Sequence, residues 1–395
     1  MTTELLYHHD SLLLDFRAAV VGHATWNGSP SVVLDRTAFY PEAGGQMADR
    51  GVLAGAPVRD VQIDDAGTVH HLVDGPLPEV GAEVAGVIDR DRRRAHMALH
   101  TGQHMLSRAL VDVMKGDTIS SRLGESSCTI DIDLAKIDEA ELARAEELVN
   151  AVIDDDAPIR AYFPEPDELR SLPLRRPPKV TDHIRVVAIG DFDVSPCGGT
   201  HCLRTAQVGL LKVTGIERYK GKMRVTFVSG RRARAELGAH DQALRGLGRD
   251  MTCGPELVPG AIAKLRRELQ DAREALGQAR ARAIGERVAE LIAAARAAGT
   301  TTIAAVVPDV DADGLRVAAK RIIAEPDLCA LLAAPTDTGA HLLAARGAAS
   351  TFDCGAFIKR AATALGGRGG GSPERAEGRV PSFDAARWAE LSRSP

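Results

Sequence analysis

The chain has 395 residues, of which 45% are hydrophobic, 26% charged and 4% aromatic, with a formal net charge of -5. This length predicts two to four domains, whose cores rest mainly on Ala, Val, Leu and Ile because aromatic residues are scarce. Short apolar runs broken by charged residues exclude a membrane-spanning segment, and six cysteines without framework spacing predict reduced thiols in a cytoplasmic protein.

The first 90 residues have the pattern of a small β-barrel. Short alternating segments are separated by clusters of Gly, Pro, Asn and Asp, which is typical of strands joined by turns. The predicted strands cover residues 16–21, 31–34, 58–63, 68–72 and 84–89.

The next part of the chain mixes helices and strands. Apolar residues recur at helical spacing in residues 92–114 and again in residues 138–153, so both segments are predicted as helices. Residues 164–178 are rich in proline and charge and are predicted as a loop. Strand-like runs follow at residues 184–189, 208–216 and 223–228, which indicates an α+β layer.

The composition changes after residue 231. Residues 257–298 are nearly all Ala, Leu, Arg, Glu and Gln, and their apolar positions alternate spacings of three and four as in a coiled-coil seam. This seam fits a homodimer through the helical segment, and it fits an intrachain helical hairpin equally well. The seam positions are Ile262, Leu265, Leu269, Ala272, Leu276, Ala279 and Ala283.

The last part of the chain is predicted as a small α/β unit. It contains a strand at 303–307, a helix at 313–324, strands at 328–333 and 341–345, and a glycine run at 366–371. The predicted class is therefore α+β and multidomain. The predicted segments are a barrel domain at 1–90, an α+β metal-containing domain at 91–235, a helical linker at 236–300 and a small α/β domain at 301–395.

Two short motifs carry side chains that bind metals. His100 and His104 are four residues apart on the predicted helix, so both imidazoles project from one face. His96 extends the same row, but the apolar residues after His104 favour burial of that end of the helix. A thermolysin-type protease is excluded because Thr101 stands where the general-base glutamate would be.

The second motif is Cys197 and His201 around two glycines. The glycines and the preceding proline favour a tight loop that turns both side chains inward. Cys202 could replace Cys197, although in an extended chain its side chain would point away from that of His201. Three imidazoles and one thiolate make a complete tetrahedral set for zinc, either closed and structural or open to substrate.

Basic residues cluster around the metal motifs despite the acidic total. The clusters lie at residues 90–94, 170–179 and 218–234, and the second includes Lys179. Each cluster alone is typical of a solvated surface. Three clusters together favour a surface that binds the phosphates of a nucleic acid.

The pair of motifs resembles the editing domain of alanyl-tRNA synthetase and the related alanyl-tRNA editing (AlaX) proteins. The segment FYPEAGGQ at residues 39–46 is similar to the glycine-rich segment that lines the editing pocket of that family. Residues 216–230 are similar to the strand pair that closes the domain. The glycine run near the C-terminus is similar to that of the DHHA1 domain, which binds tRNA in synthetases.

This resemblance implies a zinc-dependent hydrolase that deacylates tRNA(Ala) mischarged with serine, and glycine is a further substrate to test. It implies action in trans without ATP, because the chain begins at the barrel and leaves no room for a synthetase catalytic domain. Gln46 and Glu42, beside Thr200, are the expected polar lining of the pocket. Zinc would activate water or anchor the amino group of the substrate.

Three alternatives stay open. The editing domain of threonyl-tRNA synthetase shares the same metal arrangement, although it lacks the coiled coil and the C-terminal domain. A non-catalytic RNA-binding protein with structural zinc also fits. A DHH-type phosphoesterase would need aspartate-rich metal motifs in the first half of the chain, and none is visible there.

Overall fold

The computed structural model describes residues 2–125, 127–178 and 180–393, so Lys179 lies outside the described residues. These residues form two compact units, Met1–Gly246 and Leu247–Pro395. Helices and several separate sheets occur along the chain, which confirms the predicted α+β multidomain class. The finer division into four segments stays a prediction.

The first unit begins with a closed barrel of six antiparallel strands. Valine and leucine side chains fill its interior together with Phe16 and Phe39. Around the barrel the strands run in the order β2-β3-β7-β6-β5-β8, while the short β1 and β4 pair in parallel beside it. The strands are β1 Glu4–Leu5, β2 Asp15–Trp26, β3 Ser29–Leu34, β4 Arg36–Thr37, β5 Gly51–Leu53, β6 Ala56–Ile63, β7 Val69–Val73 and β8 Glu83–Ile88.

The rest of this unit surrounds one long helix. The elements are α1 Arg90–Met114, β9 Thr118–Leu123, β10 Cys128–Ile132, α2 Glu139–Asp154, β11 Ile159–Tyr162, α3 Pro166–Ser171, β12 Val186–Ile189, β13 Asp193–Pro196, β14 Leu211–Tyr219, β15 Lys222–Ser229 and α4 Gly230–Asp250. One sheet has the order β14-β15-β10-β9 and a second has the order β11-β12-β13. Helices α1 and α2 share a buried core with residues of both sheets.

Most of the predicted elements of this unit are found, and two of the predictions differ from the structure; the strands β1, β4, β5, β9, β10, β11 and β13 were not predicted. Both predicted helices of this unit are confirmed as α1 and α2. The loop prediction for residues 164–178 is wrong in part, because α3 lies within this range and begins with Pro166. Proline is tolerated in the first turn of a helix, since a backbone N–H at that position would have no partner within the helix. The strand predicted from residue 208 begins only at Leu211, since a 3₁₀ turn occupies Thr205–Val208.

The second unit is a long helix followed by a five-stranded sheet. The elements are α5 Val258–Ala298, β16 Thr302–Val306, α6 Ala312–Ile322, β17 Cys329–Thr336, β18 Gly339–Arg346, α7 Cys354–Ala364, β19 Arg368–Gly371, β20 Arg375–Val380 and α8 Ala385–Arg393. The strand order is β16-β17-β18-β20-β19. Four elements of this unit were not predicted from the sequence: α7, β20, α8 and the strand β19, which part of the glycine run forms.

Helix α5 is buried at its first residue, Val258, and near its C-terminal end. Ile284, Val288 and Ala295 are buried against α6 and the sheet. Leu269 and Leu276 of the predicted seam are 50% and 51% exposed. The seam therefore makes no intrachain hairpin among the described residues. None of the helices in the described part of the chain is long and apolar enough to cross a membrane.

Candidate metal centre and adjoining cavity

Helix α1 holds the first two metal-binding side chains in a fixed position. Asp89 caps the helix by accepting a hydrogen bond from the backbone N–H of Arg92. The fully buried Arg93 then ties the helix to the barrel through Asp49, with the closest contact at 2.5 Å. His100 and His104 follow on the same helix, both buried, with ring centroids 5.1 Å apart.

The second pair of side chains lies on the loop after β13. This loop can approach α1 because Gly199 has no side chain. A Cβ atom at Gly199 would lie 2.2 Å from Cε1 of His100, much closer than two carbon atoms can approach. At Gly198 the nearest heavy atom to such a Cβ would be 3.6 Å away, so that position has ordinary space.

The loop and the helix bring four donor atoms together. His100, His104, Cys197 and His201 each offer one ligand atom, and these atoms lie within 4.8 Å of one another. The Cys197 sulfur is 3.5 Å from Nε2 of His100 and 3.3 Å from Nε2 of His201. Zinc–sulfur and zinc–nitrogen bonds of ordinary length in a tetrahedron place these atoms about 3.5 Å apart. The spacing therefore fits a zinc-sized ion.

The protonation of the cluster also suits a cation. Burial alone raises the pKa of the Cys197 thiol, but the charges of the three imidazoles outweigh it and hold that pKa well below its usual range. Nε2 of the buried His104 has no hydrogen-bond partner among the described residues. A thiolate beside an unpartnered imidazole nitrogen is the arrangement expected of metal ligands.

Each imidazole has a second polar neighbour at its outer nitrogen. Nδ1 of His100 lies 2.6 Å from Oε1 of Gln46, and Nδ1 of His201 lies 3.2 Å from Oγ1 of Thr101. For His104, Oδ2 of Asp193 is 3.5 Å from Nδ1, near the limit of a direct hydrogen bond. The contacts of Gln46 and Thr101 favour a proton on Nδ1 of His100 and His201 and leave their Nε2 atoms free to bind a metal, whereas Nδ1 of His104 has no hydrogen-bond partner among the described residues.

Asp193 is a buried neighbour of the donor cluster that was not among the residues predicted from the sequence. It is buried, and burial raises the pKa of its carboxyl, but His104 and Arg175 lower that pKa to about 2. Nε of Arg175 lies 2.7 Å from its carboxylate, and the Ser195 hydroxyl donates to it at 2.9 Å. A signal is present in the sequence, since residues 193 and 195 alternate along the strand that ends one residue before Cys197 and share a face.

The alternatives considered for the metal ligands lie outside the cluster. His96 is buried one turn before His100, and burial together with the charges of Arg92 and Arg232 lowers its pKa to about 4. The buried Cys202 donates its backbone N–H to Thr101, and burial raises the pKa of its thiol to about 12. Neither residue belongs to the group of four donors.

The three residues expected to line the pocket have different positions. Gln46 and Thr200 are fully buried behind His100, and Nε2 of Gln46 donates to the Thr200 hydroxyl at 2.8 Å. Glu42 is exposed, and its backbone N–H donates to Val61. The role of these residues in the pocket stays a prediction.

A cavity of about 600 Å³ opens beside the metal-binding residues. The loop after β4 forms one wall through Tyr40 and Gly45, and His100 and Gln103 of α1 contribute to the lining. The volume lies in the usual range for a small-ligand site. A smaller cavity of about 240 Å³, between α4 and the strands β14 and β15, lies away from the cluster.

Two family models match the chain on either side of α1. Residues 184–226, which contain Cys197 and His201, match the model described as the threonyl and alanyl tRNA synthetase second additional domain. Residues 13–92 match the model described as tRNA synthetases class II (A). The first match covers the metal-binding loop, and the second covers the barrel.

Three curated relatives match over longer stretches. The alanyl-tRNA editing protein AlaX-L of Pyrococcus horikoshii is 35% identical over 243 residues, which are 59% of this chain and 60% of that protein. The alanine–tRNA ligase of Methanopyrus kandleri is 29% identical over 95% of this chain and 42% of the ligase. That of Pyrococcus furiosus is 31% identical over 98% and 43%. The chain spans less than two thirds of each relative.

Proposed function

Because this chain belongs to the alanyl-tRNA editing (AlaX) family, which is related to alanyl-tRNA synthetase, we propose that it is an aminoacyl-tRNA deacylase. Its proposed substrate is Ser-tRNA(Ala), with Gly-tRNA(Ala) as a second, and the reaction is hydrolysis without ATP. The observation that carries the proposal is the convergence of four donor atoms beside a cavity of small-ligand size.

The proposed cofactor is a zinc ion held by His100, His104, Cys197 and His201. Mixed nitrogen and sulfur donors at tetrahedral spacing favour zinc over Mg²⁺ or Ca²⁺, which prefer oxygen ligands. The chemistry that zinc supplies in such a site is Lewis-acid polarisation of a carbonyl or of water, or a hold on the amino group of the substrate.

The residues around the donors have proposed supporting roles. Gln46 and Asp193 fix two of the imidazoles, and Thr200 in turn orients the Gln46 amide. Gln103 lines the cavity and donates from Nε2 to Ser107, and its amide oxygen accepts no hydrogen bond from the residues that the structure describes, so we assign this oxygen to a hydroxyl of the substrate. Glu42 is exposed and does not line the cavity, so no supporting role is proposed for it.

A second site of this kind improves the selection between serine and alanine. Serine exceeds alanine by one hydroxyl, and an apolar synthetic pocket cannot strongly reject a residue that merely adds one. A site that accepts a hydrogen bond from the hydroxyl leaves its own polar group unpaired when alanine binds. Hydrolysis is therefore expected to favour Ser-tRNA(Ala) over Ala-tRNA(Ala).

The experiment is a deacylation assay with Ser-, Gly- and Ala-tRNA(Ala), and with Ser-tRNA(Thr) to test the threonyl alternative. We expect rapid release of serine from tRNA(Ala) by the unaltered protein and loss of release in His104→Ala. The matched control is His96→Gln, a buried histidine two turns earlier on the same helix that lies outside the donor cluster. Equal rates in His104→Ala and the unaltered protein would refute the proposed role of the metal.

The number of donors favours one other function. Four protein ligands complete a tetrahedron, which is the usual form of a structural zinc site, and catalytic sites commonly keep one position open. A non-catalytic RNA-binding protein with structural zinc is therefore the second candidate. It predicts that metal removal unfolds the first unit and that no aminoacyl-tRNA is hydrolysed.

We also propose that two copies associate through α5. Apolar side chains that repeat at coiled-coil spacing are half exposed on this helix, including Leu265, Leu269 and Leu276. Sedimentation equilibrium should give a dimer for the unaltered protein and a monomer for Leu269→Lys. A monomeric unaltered protein at micromolar concentration would contradict this proposal.

A further inference from the structure

Arg185 is a buried cation directly behind the metal-binding loop. Arg185 directly precedes β12 and is 5% exposed. Nη1 donates to the backbone oxygens of Cys197 and Gly199 at 3.0 and 2.9 Å, and Nε donates to that of His8 at 3.1 Å. All three partners are neutral carbonyl groups.

The charge of this guanidinium is not matched by a carboxylate. No Asp or Glu forms an ion pair with Arg185 in the described part of the chain. A guanidinium stays charged in proteins, and the opposite charge that faces Arg185 is the thiolate of Cys197: burial lowers the pKa of Arg185, and this thiolate opposes the effect. A thiolate bound to a metal shares its charge with that metal, so the guanidinium would also stabilise negative charge that develops on a molecule in the cavity.

The third nitrogen of the guanidinium, Nη2, is available to bind a molecule in the cavity. Arg185 lines the cavity together with Cys197 and His100. Its Nε and Nη1 atoms are bound to backbone oxygens, whereas Nη2 makes no hydrogen bond to any residue within the described ranges. Two N–H groups of Nη2 are therefore available beside the donor cluster, on a side chain that three hydrogen bonds already hold in place.

We propose that Arg185 is a catalytic residue that donates a hydrogen bond from Nη2 to the carbonyl oxygen of the scissile ester. This inference rests on the deacylation proposed above. The water oxygen bonds to the carbonyl carbon, and the π electron pair moves to the carbonyl oxygen, where Nη2 stabilises the negative charge. That pair re-forms the carbonyl as the bond to the ribose oxygen breaks. One water proton goes to the ribose oxygen, the other to solvent, and serine leaves as its carboxylate.

The position of Arg185 favours an oxyanion over a phosphate of the tRNA. A donor that is fixed before reaction costs no reorganisation when charge develops in the transition state. Arg185 meets this condition because its other donors are anchored to the loop that carries Cys197. Arg176 is half-buried, lines the same cavity and lies in an irregular segment, so it is better placed to bind a backbone phosphate of the tRNA.

The experiment compares Arg185→Met and Arg185→Lys with a matched control. Arg204→Met is the control, because Arg204 also donates to a backbone oxygen, that of Asp156, but lies outside the cavity and outside the three basic clusters. Each protein is assayed for zinc content, melting temperature and single-turnover deacylation at saturating substrate. The substrates are Ser-tRNA(Ala) and 2′(3′)-O-seryl-adenosine, an ester that has no phosphate.

We expect the rate at saturation to fall about 100-fold in Arg185→Met on both substrates, with zinc retained and with Arg204→Met unchanged. Arg185→Lys should retain zinc and lose at least tenfold, because one ammonium cannot serve the loop oxygens and the substrate together. We also expect a tetrahedral phosphonate analogue of the seryl ester to bind at least tenfold more weakly to either variant.

Three results would overturn the proposal. Loss of zinc or of folding in both Arg185 variants would show that Arg185 only holds the metal-binding loop in place. A rate that is reduced on Ser-tRNA(Ala) but not on seryl-adenosine would show that Arg185 binds a phosphate of the tRNA. An undiminished rate in Arg185→Lys would show that deacylation does not require a hydrogen bond from Nη2. If the unaltered protein hydrolyses neither substrate, the proposed function itself has failed, which is distinct from an active protein that tolerates both variants.

Discussion

The glycine pair of the metal-binding loop offers a sharp test of the donor cluster. In Gly199→Ala, the new Cβ would lie 2.2 Å from Cε1 and 2.4 Å from Nδ1 of His100, and 3.1 Å from Oε1 of Gln46. Ordinary carbon contacts require about 3.5 Å, so either the imidazole or the loop must retreat by about 1.3 Å. Metal–ligand distances tolerate only about 0.2 Å.

We therefore expect Gly199→Ala to weaken zinc binding at least about 100-fold and to reduce deacylation by a similar factor. Gly198→Ala is the matched control, because its Cβ would meet only Nε2 of His8 at 3.6 Å and neither glycine has a positive φ. Zinc affinity is measured by competition with a chromogenic chelator. Wild-type zinc affinity in Gly199→Ala would refute the argument that the loop needs glycine to reach His100.

Further predictions concern the surroundings of the site and the barrel. In Asp193→Asn, the carboxylate charge facing His104 is lost, so zinc affinity should fall about 10- to 100-fold in the same chelator competition; an unchanged affinity would remove Asp193 from the site. In Arg93→Met, Asp49 is left buried without its partner, so the free energy of unfolding should fall by about 3–5 kcal/mol in urea titrations. The exposed pair Arg17–Glu83 is the control, and Arg17→Met should change that free energy by less than about 0.5 kcal/mol. Burial in the barrel lowers the pKa of His71 to about 4, so the unfolded chain binds more protons between about pH 6.5 and pH 4, and stability is lost as the pH falls through this window. His71→Gln should flatten the difference in unfolding free energy between pH 7 and pH 4.5 by about 2–3 kcal/mol, and an unchanged pH dependence would show that His71 is not the group responsible.

The donor cluster could be predicted from sequence because its spacing is local. Each pair is separated by three residues, and the helix or the glycine loop alone decides that both side chains share a side. Only the contact between the two pairs joins distant parts of the chain. This contact could be predicted because the four donors together complete one tetrahedral set of ligands. The structure brings them within 4.8 Å of one another.

The residues that support the cluster depend on contacts between distant parts of the chain. Gln46 contacts Thr200 across 154 positions, and Arg185 contacts His8 across 177. A sequence shows that these side chains are polar, but it does not show which face of a loop they occupy. For this reason Gln46 was expected on the pocket wall, whereas it lies behind His100.

Missed secondary structure has similar physical causes. The glycine run of residues 366–371 reads as a loop, because glycine disfavours strands. There Gly369 packs so closely on α7 that a Cβ would lie 2.6 Å from Ile358, so the run forms the edge strand β19. Tertiary packing overrides local preference at this point.

Dependence of deacylation on the bound metal is tested by the rate of serine release from Ser-tRNA(Ala) through one cycle of metal removal and return. The purified protein is assayed as isolated, after dialysis against a strong chelator, and after addition of one equivalent of zinc, with circular dichroism recorded at each stage. We predict that release stops on metal removal while the fold persists, and that one equivalent of zinc restores it. Undiminished release by the metal-free protein would contradict the account.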